Sequence, residues 1–503
     1  MQGKKVYQEK LFSSFQLSRR VPKNNFYRRL KEVLDLFFLY QTTAVYYGKC
    51  GQKSIDPIVF YKLCLVGYLE NIISDRKLIE HCTMRLDILY FLGFDIDEDL
   101  PWHSTLSRTR QLFPEEIFEQ VFTHVLSMCV EKGMVAGHSQ AMDSAPIKAN
   151  ASMDSLELKV PEDQLEDYLS RARYFSRADR KSKENKASQK QQSLTSSQQE
   201  LQAIKSRNNN WQVNQDQRPG ASSKGAKYTS NKTHYSPTDP DARISVKPGK
   251  ARKLNYHNNI SVDTANHVIT DVKAYHADKK DRQILQDATK RLKQRLRNQG
   301  LLWRNLLADA GYSSGENYAF LEKENIISYI PKHGTYKGGP EGFTFYKEEN
   351  YWLCPQGRKV TFRKRKMVKN SLQNHYLTKR SDCKECPIKQ KCIGKGFEKK
   401  IGITVYVDEY ERNNKRVRSK LGCYMKGKRQ STVEPVFGTL TQFMGLRKIN
   451  TIGIQQANKV MHMSACAYNL KKLLKFITKT TETVTNRATR QYSSFITQLT
   501  YLT

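Results

Sequence analysis

Three acidic residues lie in short motifs of a chain that is otherwise strongly basic. They are Asp143 in GHSQAMDSAPIK, Asp309 in WRNLLADAGYSS and Glu434 in STVEPVFG. Carboxylates from separate elements of one fold can hold two Mg²⁺ ions, which activate an attacking water or hydroxyl and stabilise the leaving oxygen of a phosphodiester. The trio therefore suggests metal-dependent chemistry on a nucleic acid.

Two kinds of element would have to position these carboxylates. Each aspartate follows an apolar run typical of a strand, so we expect both at strand ends, where ligands collect in α/β sheets. An aspartate after a strand is, however, more commonly a turn or cap residue. Glu434 opens an apolar run typical of a helix, and with Ser431 it fits a helix capping box. Residue type and spacing alone do not distinguish any of the three as a metal ligand from a turn or cap residue.

The charge balance points to a polyanionic partner. The chain has 85 Lys and Arg against 49 Asp and Glu, a formal net charge of +36. Such a balance favours nucleic acid as the partner, although charge alone also fits a ribosomal or chromatin-like binder. The sequence has no apolar run of about 18 residues, as a membrane span requires, and MQGKKVYQEKLFSS lacks the apolar core of a signal peptide. We expect a cytoplasmic, nucleoid-associated protein.

The hydrophobic periodicity divides the chain into regions. Residues 1–133 predict a helical N-terminal domain, in which WHSTLSRTRQLF places Arg108 and Arg110 on a short helix. A helix-turn-helix with such arginines could read DNA, and a plain packing or dimerisation domain is equally compatible. Residues 134–332 predict the first part of an α/β core, with strand, insert, two strands, helix, strand, helix and strand. Its insert, about 155–235, is Ser-, Gln- and Lys-rich, typical of a basic arm or linker. Residues 421–480 predict the helical last part of the core with Glu434, and 481–503 a loosely ordered tail.

A group of cysteines marks the region between the two parts of the core, residues 333–420. Cys383 and Cys386 are spaced as in a zinc-binding turn, and Cys392 and Cys354 complete a candidate Cys₄ site. Free thiols in a basic loop are the alternative. The sequence TFRKRKMVKN lies between these cysteines, so we expect a structured insert that contacts DNA or mediates dimerisation.

The motifs resemble those of the DDE transposases of bacterial insertion sequences, particularly the IS1182-like branch of the IS5/IS4-type group. The similar stretches include MDSAPIKANAS, SPTDPDARISVKPG, YHNNISVD, LADAGYSSGEN and VEPVFGTLTQFMGLRK. DPIVFYKLCLVGYLENIISDRKLIEHC and WHSTLSRTR resemble the N-terminal domain of the family. The resemblance covers most of residues 20–475, and it also includes a cysteine-bearing insert.

The resemblance implies an α/β fold with an RNase H-like mixed-sheet catalytic core and an all-helical N-terminal domain. It implies Asp143, Asp309 and Glu434 as a catalytic triad that binds two Mg²⁺ or Mn²⁺ ions. The expected partners are double-stranded DNA, both as the terminal repeats of the transposon and as the target, and a second copy of the chain in a homodimer on DNA. The expected reaction is cleavage and strand transfer. The alternatives are a catalytically inactive DNA-binding descendant and a metal-dependent nuclease without strand transfer.

The surroundings of the glutamate depart from the pattern of related groups. Those groups often have Tyr, Arg and Lys at set offsets, whereas this chain has Gln430 four residues before Glu434 and Thr441 seven residues after it. The basic residues that would contact phosphates beside Glu434 are therefore candidates only: Arg429, Arg447 and Lys448.

Overall fold

A computed structural model describes residues 15–48, 50, 54–158, 231, 234–245, 251–334, 338–368 and 371–500. The predicted basic arm at 155–235 lies outside the described residues, apart from its two ends. Those ends carry the short strands β2 (Glu157–Leu158) and β3 (His234–Tyr235), which pair with each other.

The N-terminal region is helical, as predicted. Side-chain caps start several of its helices: Asn25, Asp56 and Ser74 each accept backbone N–H groups of the first turn, which otherwise have no partner within the helix. The helices are α1 (Leu17–Arg20), α2 (Phe26–Val33), α3 (Phe38–Thr43), α4 (Pro57–Leu69), α5 (Asp75–Thr83), α6 (Leu86–Leu92), α7 (His103–Leu112) and α8 (Glu115–Glu131).

A mixed sheet follows, in the predicted order of elements apart from one short strand at 243–245 that was not predicted. Its strands are β1 (Ser139–Lys148), β4 (Arg243–Ser245), β5 (Lys253–Asp263), β6 (Ile269–His276), β7 (Asn305–Ala308) and β8 (Ile327–Tyr329). β5 lies antiparallel to β1, and its other edge pairs with β6 and β4. On the other side of β1, β7 and β8 are parallel to it. The crossovers are the helices α9 (Asp281–Asn298) and α10 (Gly315–Lys323).

A second, antiparallel sheet occupies most of the cysteine-bearing region, where the sequence analysis predicted a structured insert without assigning strands. It consists of β9 (Thr344–Tyr346), β10 (Tyr351–Leu353), β11 (Lys359–Val368), β12 (Ser371–Leu377) and β13 (Lys400–Thr404), in the order β13-β12-β11-β10-β9. Two short helices, α11 (Arg380–Lys384) and α12 (Lys389–Cys392), connect β12 to β13. The chain ends in the helices α13 (Val407–Arg418), α14 (Lys420–Phe443) and α15 (Ile454–Thr500). The backbone of α15 thus continues through most of the segment predicted to be a loosely ordered tail.

One hydrophobic core joins the N-terminal helices to the first sheet. Leu63 of α4, Val125 of α8, Ile260 of β5 and Leu470 of α15 all belong to it and are fully buried. A second core fills the opposite face of the sheet, where α9 and α10 pack. The sheet therefore lies between two helical layers, the arrangement of an α/β domain. Across the described ranges, none of the helices combines the length and apolarity needed to cross a membrane.

Candidate active site

The register between β1 and β7 brings the two aspartates together. The last pair of residues between these parallel strands is Met142 with Ala308, so Asp143 and Asp309 directly follow neighbouring residues. Asp309 lies at the end of its strand, as predicted. It caps the 3₁₀ turn Ala310–Tyr312 and accepts the N–H of Gly311 at 2.8 Å.

Asp143 does not lie at a strand end, which corrects the prediction. β1 continues to Lys148 and remains paired with β5 throughout. The sequence suggested an end there because the apolar run stops before Asp143, and Pro146, shortly after it, cannot donate a backbone hydrogen bond. β7 has already ended at Ala308, however, so Pro146 lies past the last residue pair with that neighbour. Asp143 is therefore a residue in the middle of a strand, at the point where its parallel partner turns away.

A hydrogen-bonded network fixes the two aspartate-bearing segments to each other. The hydroxyl groups of Ser144 and Tyr312 are 2.6 Å apart. Asn259 Nδ2 donates to the Tyr312 hydroxyl at 2.9 Å and to the Asp143 carbonyl at 3.3 Å. Tyr312 is fully buried, and this burial raises its pKa well above the usual range, so the hydroxyl remains neutral. The network joins β1, β5 and the turn after β7.

The two carboxylates are electrostatically unfavourable to each other. Burial, followed by the negative charge of Asp309, raises the pKa of Asp143 to about 6. Burial, followed by the charge of Asp281, also raises the pKa of Asp309. The Arg429 guanidinium opposes both shifts. Protonation relieves both the burial of the negative charge and the repulsion between the carboxylates, and a cation bound between them would do the same.

The glutamate lies within a long helix, which excludes the capping-box alternative. α14 begins after Ser419, whose hydroxyl accepts the N–H of Gly422 at 3.1 Å. Ser431 is in the interior of this helix, where its hydroxyl donates to the Lys428 carbonyl. Glu434 is therefore free of a capping role, and its side chain is 61% exposed.

Arg429 links the helix to the strand. Its Nη1 donates to Asp143 Oδ2 at 2.9 Å, and its Nη2 is 3.6 Å from Glu434 Oε1. The arginine side chain is only 12% exposed. A guanidinium thus occupies the space between two of the three predicted triad carboxylates.

Asp281 is a fourth carboxylate near the site that the sequence analysis did not identify. A Cβ atom on Gly311 would lie 2.7 Å from Asp281 Oδ2 and 3.0 Å from Asp309 Oδ1, so both carboxylates approach this glycine closely. His257 Nε2 lies 3.0 Å from Asp281 Oδ1. The only signal in the sequence was an aspartate at the start of a helix, which is too common to single out.

The donor chemistry of the site fits a hard divalent cation only in part. Asp143 and Asp309 supply the carboxylate oxygens that Mg²⁺ prefers, and their repulsion favours a cation between them. Among the residues that the structure describes, however, no three or more His, Cys, Asp or Glu side chains are grouped so as to hold a metal ion. Two carboxylates are in place, and Arg429 lies between Asp143 and the third.

The cysteines give no support to the zinc hypothesis. The thiols of Cys354, Cys383, Cys386 and Cys392 are free and partly exposed, and the described part of the chain contains no group of metal-binding side chains that includes them. Cys383 Sγ lies 3.1 Å from the Thr378 hydroxyl, and Cys354 Sγ accepts the N–H of Arg358 at 3.3 Å.

The predicted DNA-contacting residues differ in their exposure. Arg108 and Arg447 are exposed. Arg110 instead forms a bidentate ion pair with Asp75 of α5, with N–O distances of 2.7 and 2.8 Å, and is mostly buried. Lys448 lines an open cavity of about 470 Å³ together with Lys148, Arg252 and Lys253.

The contrast between Arg108 and Arg110 predicts opposite effects of substitution. We expect Arg110→Ala to lower the free energy of unfolding by roughly 3 kcal/mol, because it leaves Asp75 buried without its partner. Arg108→Ala is expected to change stability by less than about 0.5 kcal/mol, as is usual at exposed positions, and to weaken DNA binding. Urea denaturation and a DNA-binding titration of both variants measure this. Equal stability of the two variants would contradict the structural role of Arg110.

Two transposase domain families match parts of the chain. A transposase domain (DUF772) matches residues 15–112, which include α1 to α7. A transposase DDE domain matches residues 353–474, which include Glu434, most of the second sheet and part of α15. These two matches support a DDE transposase of the insertion-sequence type. No curated protein and no solved structure matches the chain. The matched ranges do not include Asp143 or Asp309, whose assignment therefore depends on the geometry described above.

Proposed function

We propose that this transposase catalyses metal-dependent cleavage and strand transfer at the terminal inverted repeats of an insertion sequence of the IS1182-like branch. The observation that carries the proposal is the β1–β7 register, which sets Asp143 beside Asp309 beneath the helix that bears Glu434. Catalysis of phosphodiester chemistry by carboxylate-bound metal ions needs such convergence from separate elements.

We further assign the catalytic core to the RNase H-like class. The support is the strand order, in which a central β1 has an antiparallel hairpin, β5 and β6, on one side and the parallel strands β7 and β8 on the other. Mixed sheets with helices on both faces are common in α/β proteins, so the assignment depends on this particular order.

Each site residue has a proposed role in the mechanism. Asp143 and Asp309 would hold a divalent metal ion, Mg²⁺ or Mn²⁺, and Glu434 would complete the triad when its contact with Arg429 is released. When bound, two such ions activate the attacking hydroxyl and stabilise the leaving oxygen. Arg429 would then be free to pair with a DNA phosphate, for which a guanidinium has matching bidentate geometry. Tyr312 and Asn259 hold the two aspartates in register.

The proposed partner is double-stranded DNA. The net charge of +36 supports it, and Arg108, Arg447 and Lys448 are the proposed contacts outside the carboxylate site. A homodimer on DNA is proposed because two transposon ends must be cut and joined together.

Incubation of the protein with labelled terminal-repeat DNA and Mg²⁺ tests the function. We expect nicked ends and joined product with Mg²⁺, and neither product when EDTA replaces the metal. Absence of nicking would contradict both enzymatic functions and leave a DNA-binding protein. Nicking without joined product would favour the nuclease.

A further inference from the structure

The outer part of β11 is an exposed edge of the second sheet. β10 pairs with β11 only through Lys359–Thr361, whereas β12 pairs with the other edge as far as Val368. Along the stretch 362–368, the structure describes no strand on the β10 side. Every residue from Thr361 to Met367 is exposed to solvent. This segment therefore presents both its backbone edge and its side chains.

Four consecutive cations occupy this edge: Arg363, Lys364, Arg365 and Lys366. The sequence from 359 to 377 contains no Asp or Glu. No ion pair links these four side chains to an acidic residue in the described ranges, and Arg365 Nε donates to the amide oxygen of Asn374 at 3.1 Å. The positive charge is thus not neutralised locally.

A bulge distributes these cations over both faces of the strand. The register with β12 shifts between Phe362 and Lys364, which leaves Arg363 as the extra residue. Beyond it, side chains alternate, so Lys364 and Lys366 lie on one face and Arg365 on the other. A strand that is cationic on both faces can approach phosphates on either side of it.

Charges on an edge strand also have a simpler role, which is to prevent pairing with a second chain. Lysine is the usual residue in that role, although charged side chains of either sign can serve it. Four adjacent positive charges instead match a polyanion. Duplex DNA offers a regular line of phosphates and grooves that admit β-strands.

We propose that the β11 edge, residues Arg363–Lys366, is a sequence-independent contact for the phosphate backbone of duplex DNA, separate from the catalytic carboxylates. The proposal rests on the proposed function only in taking DNA as the partner. The contact belongs to the second sheet, whereas Asp143 lies in a strand of the first sheet and Asp309 directly follows another. Backbone contacts carry no sequence information, which suits a target duplex of varying sequence.

The test uses the full chain and a duplex of arbitrary sequence, titrated in EDTA over a range of salt concentrations. Each phosphate contact contributes about 0.9 to the slope of log affinity against log salt. We expect the combined Arg363→Gln, Lys364→Gln, Arg365→Gln and Lys366→Gln variant to lose about 2–4 units of slope and to bind at least about tenfold more weakly at 0.1 M salt. A matched control removes four exposed cations outside the second sheet, namely Lys132, Arg297, Arg304 and Lys323, and is expected to lose less than about one unit.

A second variant separates DNA contact from edge protection. The combined Arg363→Glu, Lys364→Glu, Arg365→Glu and Lys366→Glu variant keeps the edge charged, so it is expected to remain monodisperse in gel filtration and to lose DNA binding. DNA binding equal to that of the natural sequence in the glutamine or glutamate variant, or equal loss in the matched control, would overturn the proposal. EDTA removes the metal, so the titration gives the same result whether or not the protein can cleave DNA. Failure of the proposed β11 contact can therefore be distinguished from failure of the proposed catalytic function.

Discussion

Asp143→Asn and Asp309→Asn are each expected to reduce metal-dependent DNA cleavage at least about 10³-fold, while DNA affinity stays within about twofold. Metal ions contribute several kcal/mol of charge stabilisation to the transition state, and every 1.36 kcal/mol corresponds to about a tenfold change in rate. The asparagine side chain keeps the size of the aspartate but loses the charge that would hold the cation. Single-turnover cleavage of labelled DNA, with binding measured in EDTA, separates the two effects.

Asp278→Asn is the matched control for these variants. It removes the same charge from a partly exposed aspartate near the start of α9, and that side chain lies 4.0 Å from Arg243 and makes no contact with the triad residues that the structure records. Cleavage by this variant should equal that of the natural sequence. Substantial activity in Asp143→Asn or Asp309→Asn, or parallel loss of cleavage and binding, would remove the carboxylates from the proposed metal site.

The second large effect concerns stability. Asp143→Asn, which is expected to reduce DNA cleavage, is also expected to stabilise the metal-free protein at pH 7.5. The pKa of this carboxyl is raised from 3.8 to about 6, so between these values the folded chain binds more protons than the unfolded chain. Stability therefore falls as the pH rises through this window and stays lower above it. The shift corresponds to about 3 kcal/mol, which we reduce to about 1–2 kcal/mol because solvent reaches the group and the variant loses its ion pair with Arg429.

Thermal denaturation of both proteins at pH 4 and pH 7.5 measures this effect. The advantage of the variant should be present at pH 7.5 and small at pH 4, where most of the aspartate is already protonated. Mg²⁺ should raise the Tm of the natural sequence, because a ligand that binds the folded state stabilises it, and should raise that of the variant less. A variant that is less stable at pH 7.5 would show that the Arg429 ion pair outweighs both the burial of the charge and its repulsion by Asp309.

The sequence predicted the elements better than their contacts. Apolar runs and their order were enough to predict an α/β core with two consecutive strands followed by alternating helices and strands, and Asp309 lies at the strand end expected for it. Local patterns failed where pairing between strands decides the structure. β1 passes through Pro146 because β7 has already ended, and no local signal carries that information. The strands of the second sheet are short or highly charged, so their periodicity was hidden.

The candidate active site was likewise predicted in its residue types but not in its contacts. The residue types of Asp143, Asp309 and Glu434 could be read as metal ligands from the sequence, together with the resemblance of their motifs. The residues that surround them in space could not be predicted from the sequence. Asp281 approaches Asp309 only because α9 begins beside Gly311, and the burial of Arg110 depends on Asp75, which lies on another helix. Such contacts between distant segments arise from packing, which spacing along the chain does not record.

The core shared by α7, α15 and the first sheet has a consequence for how DNA would be cut. Leu106, on the helix that carries Arg108, is fully buried in the same core as Ala141, two residues before Asp143. Packed interiors deform little, so DNA held at Arg108 would meet the carboxylates at a constant separation. The protein would then act as a molecular ruler, and the distance from recognition site to cut would be set by the fold rather than by the DNA sequence between them.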